Sequence, residues 1–99
     1  MNKSAKIYRL YTEDKNASEV SQLVRDHLHA ATLLFGKGYF RGEFETCLII
    51  EVISSVFPSV NELIELRIAM VRLARAIQAL NKQHEVHLTI QDIHKEVIQ

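Results

Sequence analysis

The chain has 99 residues, 47% of them hydrophobic, and its 12 Lys and Arg side chains are balanced by 12 Asp and Glu side chains. That length is enough for one hydrophobic core, so we expect a single domain over residues 1–99. The neutral net charge argues against a protein that binds nucleic acid or anionic lipid through a basic surface. The single cysteine, Cys47, excludes an intramolecular disulfide framework and fits a reducing compartment.

The sequence offers little sign of a membrane or export signal. Its apolar runs are all shorter than the roughly 20 residues that a membrane helix requires. The first residues lead into a mixed strand rather than into the apolar core of a signal sequence. These patterns predict a cytoplasmic protein that makes no membrane contact.

The first part of the chain predicts a strand, a helix and a second strand. Lys6–Glu13 mixes aromatic, branched and polar residues, as strands do. Asn16 followed by Glu19 has the spacing of a helix capping box. From there to near His29, apolar residues recur every three or four positions, which is typical of an amphipathic helix. Residues 31–35, ATLLF, then predict a strand.

A glycine-rich segment follows, in which all three glycines of the chain lie within seven positions. Lys37 and Arg41 stand among them, and exposed glycine amides beside two cations suit an anion such as phosphate or carboxylate. Tyr39 and Phe40 could stack on a base. The alternative is a plain hairpin with a glycine bulge and with its basic residues in solvent. The candidate ligand-binding residues are Gly36, Lys37, Gly38, Tyr39, Arg41 and Gly42.

The second half predicts a strand, a long helix and a last strand. Phe44–Ile53 alternates an apolar face with a mixed face, the pattern of a half-buried strand. Ser59 with Glu62 has capping-box spacing and opens a helix that we expect to reach about Lys82. The far turns of this helix pack either on its own sheet or on a neighbouring subunit. Residues 84–90, HEVHLTI, predict the last strand.

The resulting order, β-α-β-β-α-β, predicts a ferredoxin-like α+β fold with two helices on one face of a four-stranded antiparallel sheet. In this plan the first and third strands are central and the fourth flanks the first. The residues expected on the open face are Ile7, Arg9, Tyr11, Glu45, Cys47, Ile49, Glu51, Glu85, His87 and Thr89. Such a mixture is typical of polar subunit interfaces, so we expect a homo-oligomer, either a dimer or a trimer. Its predicted interface residues are Ile7, Arg9, Glu45, Ile49 and Glu51.

The same face allows an enzyme hypothesis. Glu45, Glu51 and His87 are of the types that bind a divalent metal or act as general acid and base in a small hydrolase or nuclease. The two carboxylates, however, are six residues apart on a strand, which is roughly 20 Å and too far to share an ion. Known nucleophile motifs do not occur in the sequence. The sequence therefore favours a module that is not an enzyme and predicts no catalytic residue, metal site or cofactor, while the hydrolase remains the alternative.

A third hypothesis is nucleic-acid binding on the sheet, with Tyr11, Tyr39 and Phe40 as stacking platforms. The outward carboxylates would face phosphates, so this hypothesis is disfavoured. The leading hypothesis is an oligomeric accessory or regulatory module. It would bind a small anionic ligand, such as a nucleotide, or a protein partner through the Gly36–Gly42 segment and the open sheet face.

The order of elements, with a glycine-containing hairpin in the middle, resembles that of the small trimeric PII-like and CutA-like proteins. The likeness covers most of the chain but departs from CutA-like proteins in lacking tryptophan, and the nucleotide-binding residues of PII proteins have no counterpart here. The stretch GKGYFRGEFETCLIIEV is also similar to a pattern, G-x-G-aromatic-x-G-x-x-E-x-small-L-x-I-E, of small uncharacterised phage and mobile-element proteins. That resemblance implies a compact accessory protein. It also draws attention to Glu45 and Glu51, whose pairing with Arg9 or Arg41 is one expected role.

Overall fold

The structure is a computed structural model that describes residues 4–99. For Phe40 it describes the backbone but not the side chain. Within this part the elements are β1 (Ser4–Glu13), α1 (Ala17–His27), β2 (Thr32–Phe40), β3 (Glu43–Ile53), α2 (Val60–Asn81) and β4 (His87–His94). The four described strands form one antiparallel sheet in the order β2-β3-β1-β4. The ferredoxin-like fold expected from the sequence is therefore confirmed. The expectations for residues 1–3 and for the ring of Phe40 lie outside the described residues.

The hydrophobic core lies between the sheet and the two helices. Alternate residues of the central strands point to the helices because successive side chains of a strand point to opposite faces. On α2, Met70, Leu73 and Ile77 follow the helical spacing that lines up one buried face, and each has a relative exposure of 0%. The buried core consists of Tyr8, Leu10, Val20, Leu48, Ile50, Val52, Met70, Leu73 and Ile77. Neither helix of the described chain is long and apolar enough to cross a membrane.

The two helices begin in different ways. Ser59 caps α2 as predicted, because its hydroxyl accepts a hydrogen bond from the amide of Glu62 at 3.1 Å. The Glu62 carboxylate accepts from the Ser55 amide at 2.8 Å. The capping box predicted at α1 is wrong, since Asn16 has a left-handed φ of 52° and its side chain does not cap the helix. Asn16 instead donates to Oδ1 of Asn81 at 2.9 Å, which ties the start of α1 to the end of α2.

The last strand lies further along the chain than the sequence predicted. Lys82 ends α2 in a left-handed conformation with a φ of 55°. The connection that follows is held to the helix, because the side-chain amide of Gln78 donates to the carbonyl oxygen of His84 at 2.7 Å. The strand β4 therefore begins only at His87, and it continues to His94 beside β1.

Candidate functional site

The hairpin of β2 and β3 extends beyond the rest of the sheet. The pairing of β1 with β3 stops at Glu13, opposite Cys47. The strands β2 and β3 stay paired as far as Phe40, opposite Glu43. Residues 37–46, called the arm below, are therefore a two-stranded ribbon that projects from the sheet. The molecule is correspondingly elongated, with principal extents of 44 × 28 × 24 Å.

The arm takes the place of the glycine loop expected from the sequence. Only Arg41 and Gly42 form the turn, with φ values of 50° and 83°, as in the two-residue hairpin turns that favour glycine. Gly36 and Gly38 belong to β2, opposite Cys47 and Glu45 respectively. The loop interpretation is therefore wrong, and the plain hairpin given as its alternative is the arrangement observed, because β3 is long enough to pair with the whole segment.

Strand alternation determines on which face of the arm each side chain lies. Lys37 and Tyr39 share one face of β2, whereas Gly36 and Gly38 lie on the other. Lys37 is thus separated from Gly36 and Gly38, whereas Arg41 lies beside Gly42 in the turn. The Tyr39 ring packs edge-on against that of Phe44, with a centroid distance of 5.1 Å. Both rings remain largely in solvent, with relative exposures of 67% and 72%.

A cleft opens where the arm leaves the sheet. Residues 11–13, at the end of β1, form its floor. Residues 38–39 and 45–47 of the hairpin form one wall, and Gln83, Glu85 and His87 form the other. The cleft has a volume of about 440 Å³, within the range of small-molecule sites. Several residues expected on the open face or in the glycine segment therefore meet here.

Carboxylates and tyrosines dominate the lining of the cleft. Glu85 pairs with His87 at 3.1 Å, and Glu13 pairs with Lys15 at 2.7 Å. The remaining acidic, aromatic and thiol groups are those of Glu45, Tyr11, Tyr39 and Cys47. Carboxylates repel a phosphate placed among them, whereas tyrosine rings accept stacked heterocycles and cations. The cleft therefore suits a neutral or cationic group better than an anion.

Sequence reasoning missed Gln83, which a chain of hydrogen bonds holds at the cleft. The Thr12 hydroxyl donates to Oε1 of Gln83 at 2.6 Å, and Nδ2 of Asn81 donates to the same oxygen at 2.8 Å. Thr12 and Asn81 are each only 5% exposed. A polar Asn81 that continues the buried stripe of Met70 and Ile77 was the one available sequence signal.

The open face of the sheet has the composition predicted from the sequence. Arg9 and Glu51 are in register on β1 and β3, and their side chains form an ion pair at 2.9 Å. The Glu51 carboxylate beside it raises the pKa of Arg9 above its usual value. Next along the face, Ile49 lies between Tyr11 and Leu34. The predicted pairing of Glu51 with Arg9 is confirmed.

One predicted interface residue has a different environment. Ile7 was expected to be exposed on the open face, but its relative exposure is 5%, so it is buried within its own chain. Ile53, its partner on β3, is 41% exposed, and so is Leu34. The exposed apolar area of this face thus lies on β2 and β3, away from the centre of β1.

The three residues proposed for metal or acid–base chemistry are not brought together. Glu45 and His87 line the cleft, whereas Glu51 pairs with Arg9 outside it. Among residues 4–99, no three His, Cys, Asp or Glu side chains are grouped so that they could hold a metal ion.

Comparison with known proteins identifies the fold class. No family model and no curated protein matches the sequence, but solved structures share its fold. A phage SAM lyase in complex with S-methyl-5'-thioadenosine is 15% identical with a TM-score of 0.64, over 96% of this chain and 93% of the other. A DUF3240 family protein from Shewanella baltica OS155 is 11% identical with a TM-score of 0.60, over 96% of both chains.

A third structure bears directly on the resemblance seen in the sequence. CPII, a nitrogen regulatory PII-like protein from Thiomonas intermedia K12, was solved bound to ADP, AMP and bicarbonate. It is 14% identical with a TM-score of 0.54, and the match covers 97% of both chains. At these identities the likeness establishes the fold alone. The PII-like resemblance expected from the order of elements is thus confirmed at the level of fold.

Proposed function

We propose that this chain is an oligomeric regulatory or accessory module that binds a small adenosine-containing ligand in the cleft. The cleft itself carries the proposal, because three separate segments of the chain line an open volume of about 440 Å³, with Tyr11 and Tyr39 among the lining residues. Structures of the same fold hold S-methyl-5'-thioadenosine in one case and ADP and AMP in another. Adenosine is the group that these ligands share, and its base is suited to stacking on tyrosine.

The charges around the cleft indicate how such a ligand would lie. Glu45 and Glu85 make the interior unfavourable for phosphate. A neutral nucleoside, or one with a cationic substituent, fits this interior. The phosphates of a nucleotide would extend along the arm, where Lys37 shares the face of Tyr39 and Arg41 lies in the turn. In this proposal Lys37 and Arg41 keep the anion-binding role predicted from the glycine segment.

Titration of isotope-labelled protein, followed by amide NMR shifts, tests the ligand. The probes are neutral S-methyl-5'-thioadenosine, cationic S-adenosylmethionine and anionic AMP. We expect saturable shifts at residues 11–13, 38–39 and 45–47, with AMP binding more weakly than the other two. If none of the three probes produces saturable amide shifts, the proposal is rejected.

A matched pair of β2 variants shows whether the cleft is the binding site. Tyr39 and Phe35 are both on β2 and both 67% exposed, but only Tyr39 belongs to the cleft lining. Stacking of a base on an aromatic ring contributes about 1–3 kcal/mol. Tyr39→Ala should therefore weaken binding roughly tenfold or more, while Phe35→Ala leaves it unchanged. Equal losses in the two variants would place the ligand elsewhere.

We also propose that copies of the chain associate through the open face. Leu34 and Ile49 form an apolar patch on this face, which the Arg9–Glu51 ion pair borders. Glu45 lies further along the same face of β3. Apolar patches with polar rims are typical of subunit interfaces.

Light scattering coupled to size-exclusion chromatography tests the association. We expect a dimer or trimer for the wild type and a monomer for Ile49→Lys. Ile64→Lys is the control, because Ile64 is 51% exposed on α2, on the other side of the molecule. A monomeric wild type, or an Ile64→Lys variant that dissociates equally well, would contradict the proposed interface.

A further inference from the structure

We infer that Gln83 presents its side-chain N–H to the ligand and selects ligands that carry a hydrogen-bond acceptor at that point. The inference rests on the proposed ligand cleft, which Gln83 lines between Glu85 and the end of β1. It assigns a specificity-determining residue within that cleft.

The hydrogen bonds below the cleft fix which way the Gln83 amide points. Asn16 donates to Oδ1 of Asn81, so Nδ2 of Asn81 faces Gln83 as a donor. The Thr12 hydroxyl, 2.6 Å away, is a second donor to the same Gln83 oxygen. Turning the Gln83 amide over would set its NH₂ group against that of Asn81. Even if the Asn16 and Asn81 amides turned with it, the Gln83 oxygen would then face the carbonyl oxygen of Glu85, which is unfavourable. Oε1 of Gln83 is therefore held inward and Nε2 outward.

The outward Nε2 has bonding capacity left over. A side-chain amide nitrogen carries two hydrogens. Among residues 4–99, its one recorded acceptor is the carbonyl oxygen of Glu85 at 3.4 Å, beyond the usual range of N–H···O hydrogen bonds. The second hydrogen is available to a molecule in the cleft. Gln83 is thus an oriented, uncharged donor at the end of the hydrogen-bond chain Asn16–Asn81–Gln83, called the relay below.

This donor complements the other polar groups of the cleft. The carboxylates of Glu13, Glu45 and Glu85 act as acceptors when ionised, so they bind ligand donors such as hydroxyl or amino groups. Gln83 supplies the opposite function to a carbonyl or ring nitrogen. Adenine carries both an exocyclic amine and ring nitrogens, so an adenosine ligand can engage both kinds of group at once.

Gln83→Glu tests the inference because it keeps an oxygen to accept from Thr12 and Asn81 and replaces the NH₂ donor by a charged oxygen that can only accept. With S-methyl-5'-thioadenosine as the probe, we expect calorimetry to show at least tenfold weaker binding. Gln91→Glu is the control, since it adds the same charge at an exposed residue of β4 that does not belong to the cleft lining. It should bind as the wild type does. If Gln83→Glu does not fold, deaza analogues of the probe test the donor on the wild-type protein alone.

Deaza analogues of the same probe separate recognition from a structural effect. One analogue that lacks a single ring nitrogen should bind the wild type about tenfold more weakly than the parent probe does. Gln83→Glu, which has lost the donor, should bind this analogue and the parent probe with the same affinity. If the wild type binds the parent probe and Gln83→Glu binds it equally well, this inference is rejected and the proposed function stands. Equal losses in Gln91→Glu would also reject it. If the wild type binds none of the three adenosine probes, the adenosine ligand and the role of Gln83 are both rejected.

Discussion

Replacement of Asn81 by alanine removes the centre of the hydrogen-bond relay beneath the cleft. Asn81 is 5% exposed and makes two hydrogen bonds, accepting from Asn16 and donating to Gln83. Each contributes about 0.5–1.5 kcal/mol, so their loss costs about 1–3 kcal/mol. Alanine regains up to about 0.7 kcal/mol because it favours the helix more than asparagine does. The net expected decrease in the free energy of unfolding is about 1–2 kcal/mol, or roughly 4–16 °C in Tm for a domain of this size.

Urea unfolding followed by circular dichroism measures this decrease, at one protein concentration because self-association would shift the apparent stability. Asn61→Ala is the control, since Asn61 is an exposed residue of the same helix. It should be neutral or slightly stabilising through helix propensity alone. A decrease for Asn81→Ala no larger than that of Asn61→Ala would refute the reasoning, because the relay would then contribute nothing.

Three further predictions concern the turn of the arm and the dependence of stability on pH. Gly42 has a φ of 83°, so Gly42→Ala should lower the free energy of unfolding in urea by about 1–2 kcal/mol. Gly38→Ala is the control and should change it little, because an added Cβ there meets nothing nearer than 4.0 Å. Hydrogen bonds from Ser55 lower the pKa of Glu62 below 4.5, so their stabilisation is present above pH 4.5 and lost as the pH falls through the lower folded-state pKa. Ser55→Ala should therefore flatten the acid side of a plot of Tm against pH, and an unchanged slope would contradict this. Burial raises the pKa of Tyr8 above 10.0. Its contribution to stability is therefore present below pH 10.0 and lost as the pH rises from there through the higher folded-state pKa. Tyr8→Phe should reduce this alkaline decrease in Tm.

The fold could be predicted because its signals are local. The alternation of Phe44–Ile53 gave a strand that begins within one residue of the observed Glu43. The loop interpretation of the glycine segment was wrong and its hairpin alternative right, because strand propensity depends on context, and pairing with the long β3 outweighs the low intrinsic preference of glycine. Asn16 has the spacing of a cap, but its hydrogen bond to Asn81 is a tertiary contact that spacing does not reveal.

The candidate site was predictable only in part, since it depends on where strands end relative to one another. Alternation placed Glu45, Tyr11 and His87 on one face, and the structure brings all three to the cleft. The cleft itself exists because β1 stops opposite Cys47 while β2 and β3 continue, and that register is a long-range property. Gln83 lies in an irregular connection after α2, where neither the strand nor the helix period applies.

The arm is the element on which the proposed ligand site depends. An isolated two-stranded ribbon is only marginally stable in water, and this one carries the exposed rings of Tyr39 and Phe44. Their contact with each other stiffens the ribbon but leaves most of their apolar surface in solvent. Burial of the Tyr39 ring by a ligand in the cleft would stabilise the arm, by roughly 25 cal/mol for each Å² removed from water. The arm thus gains stability from ligand binding, and its projection from the sheet is what makes its surface available to the ligand.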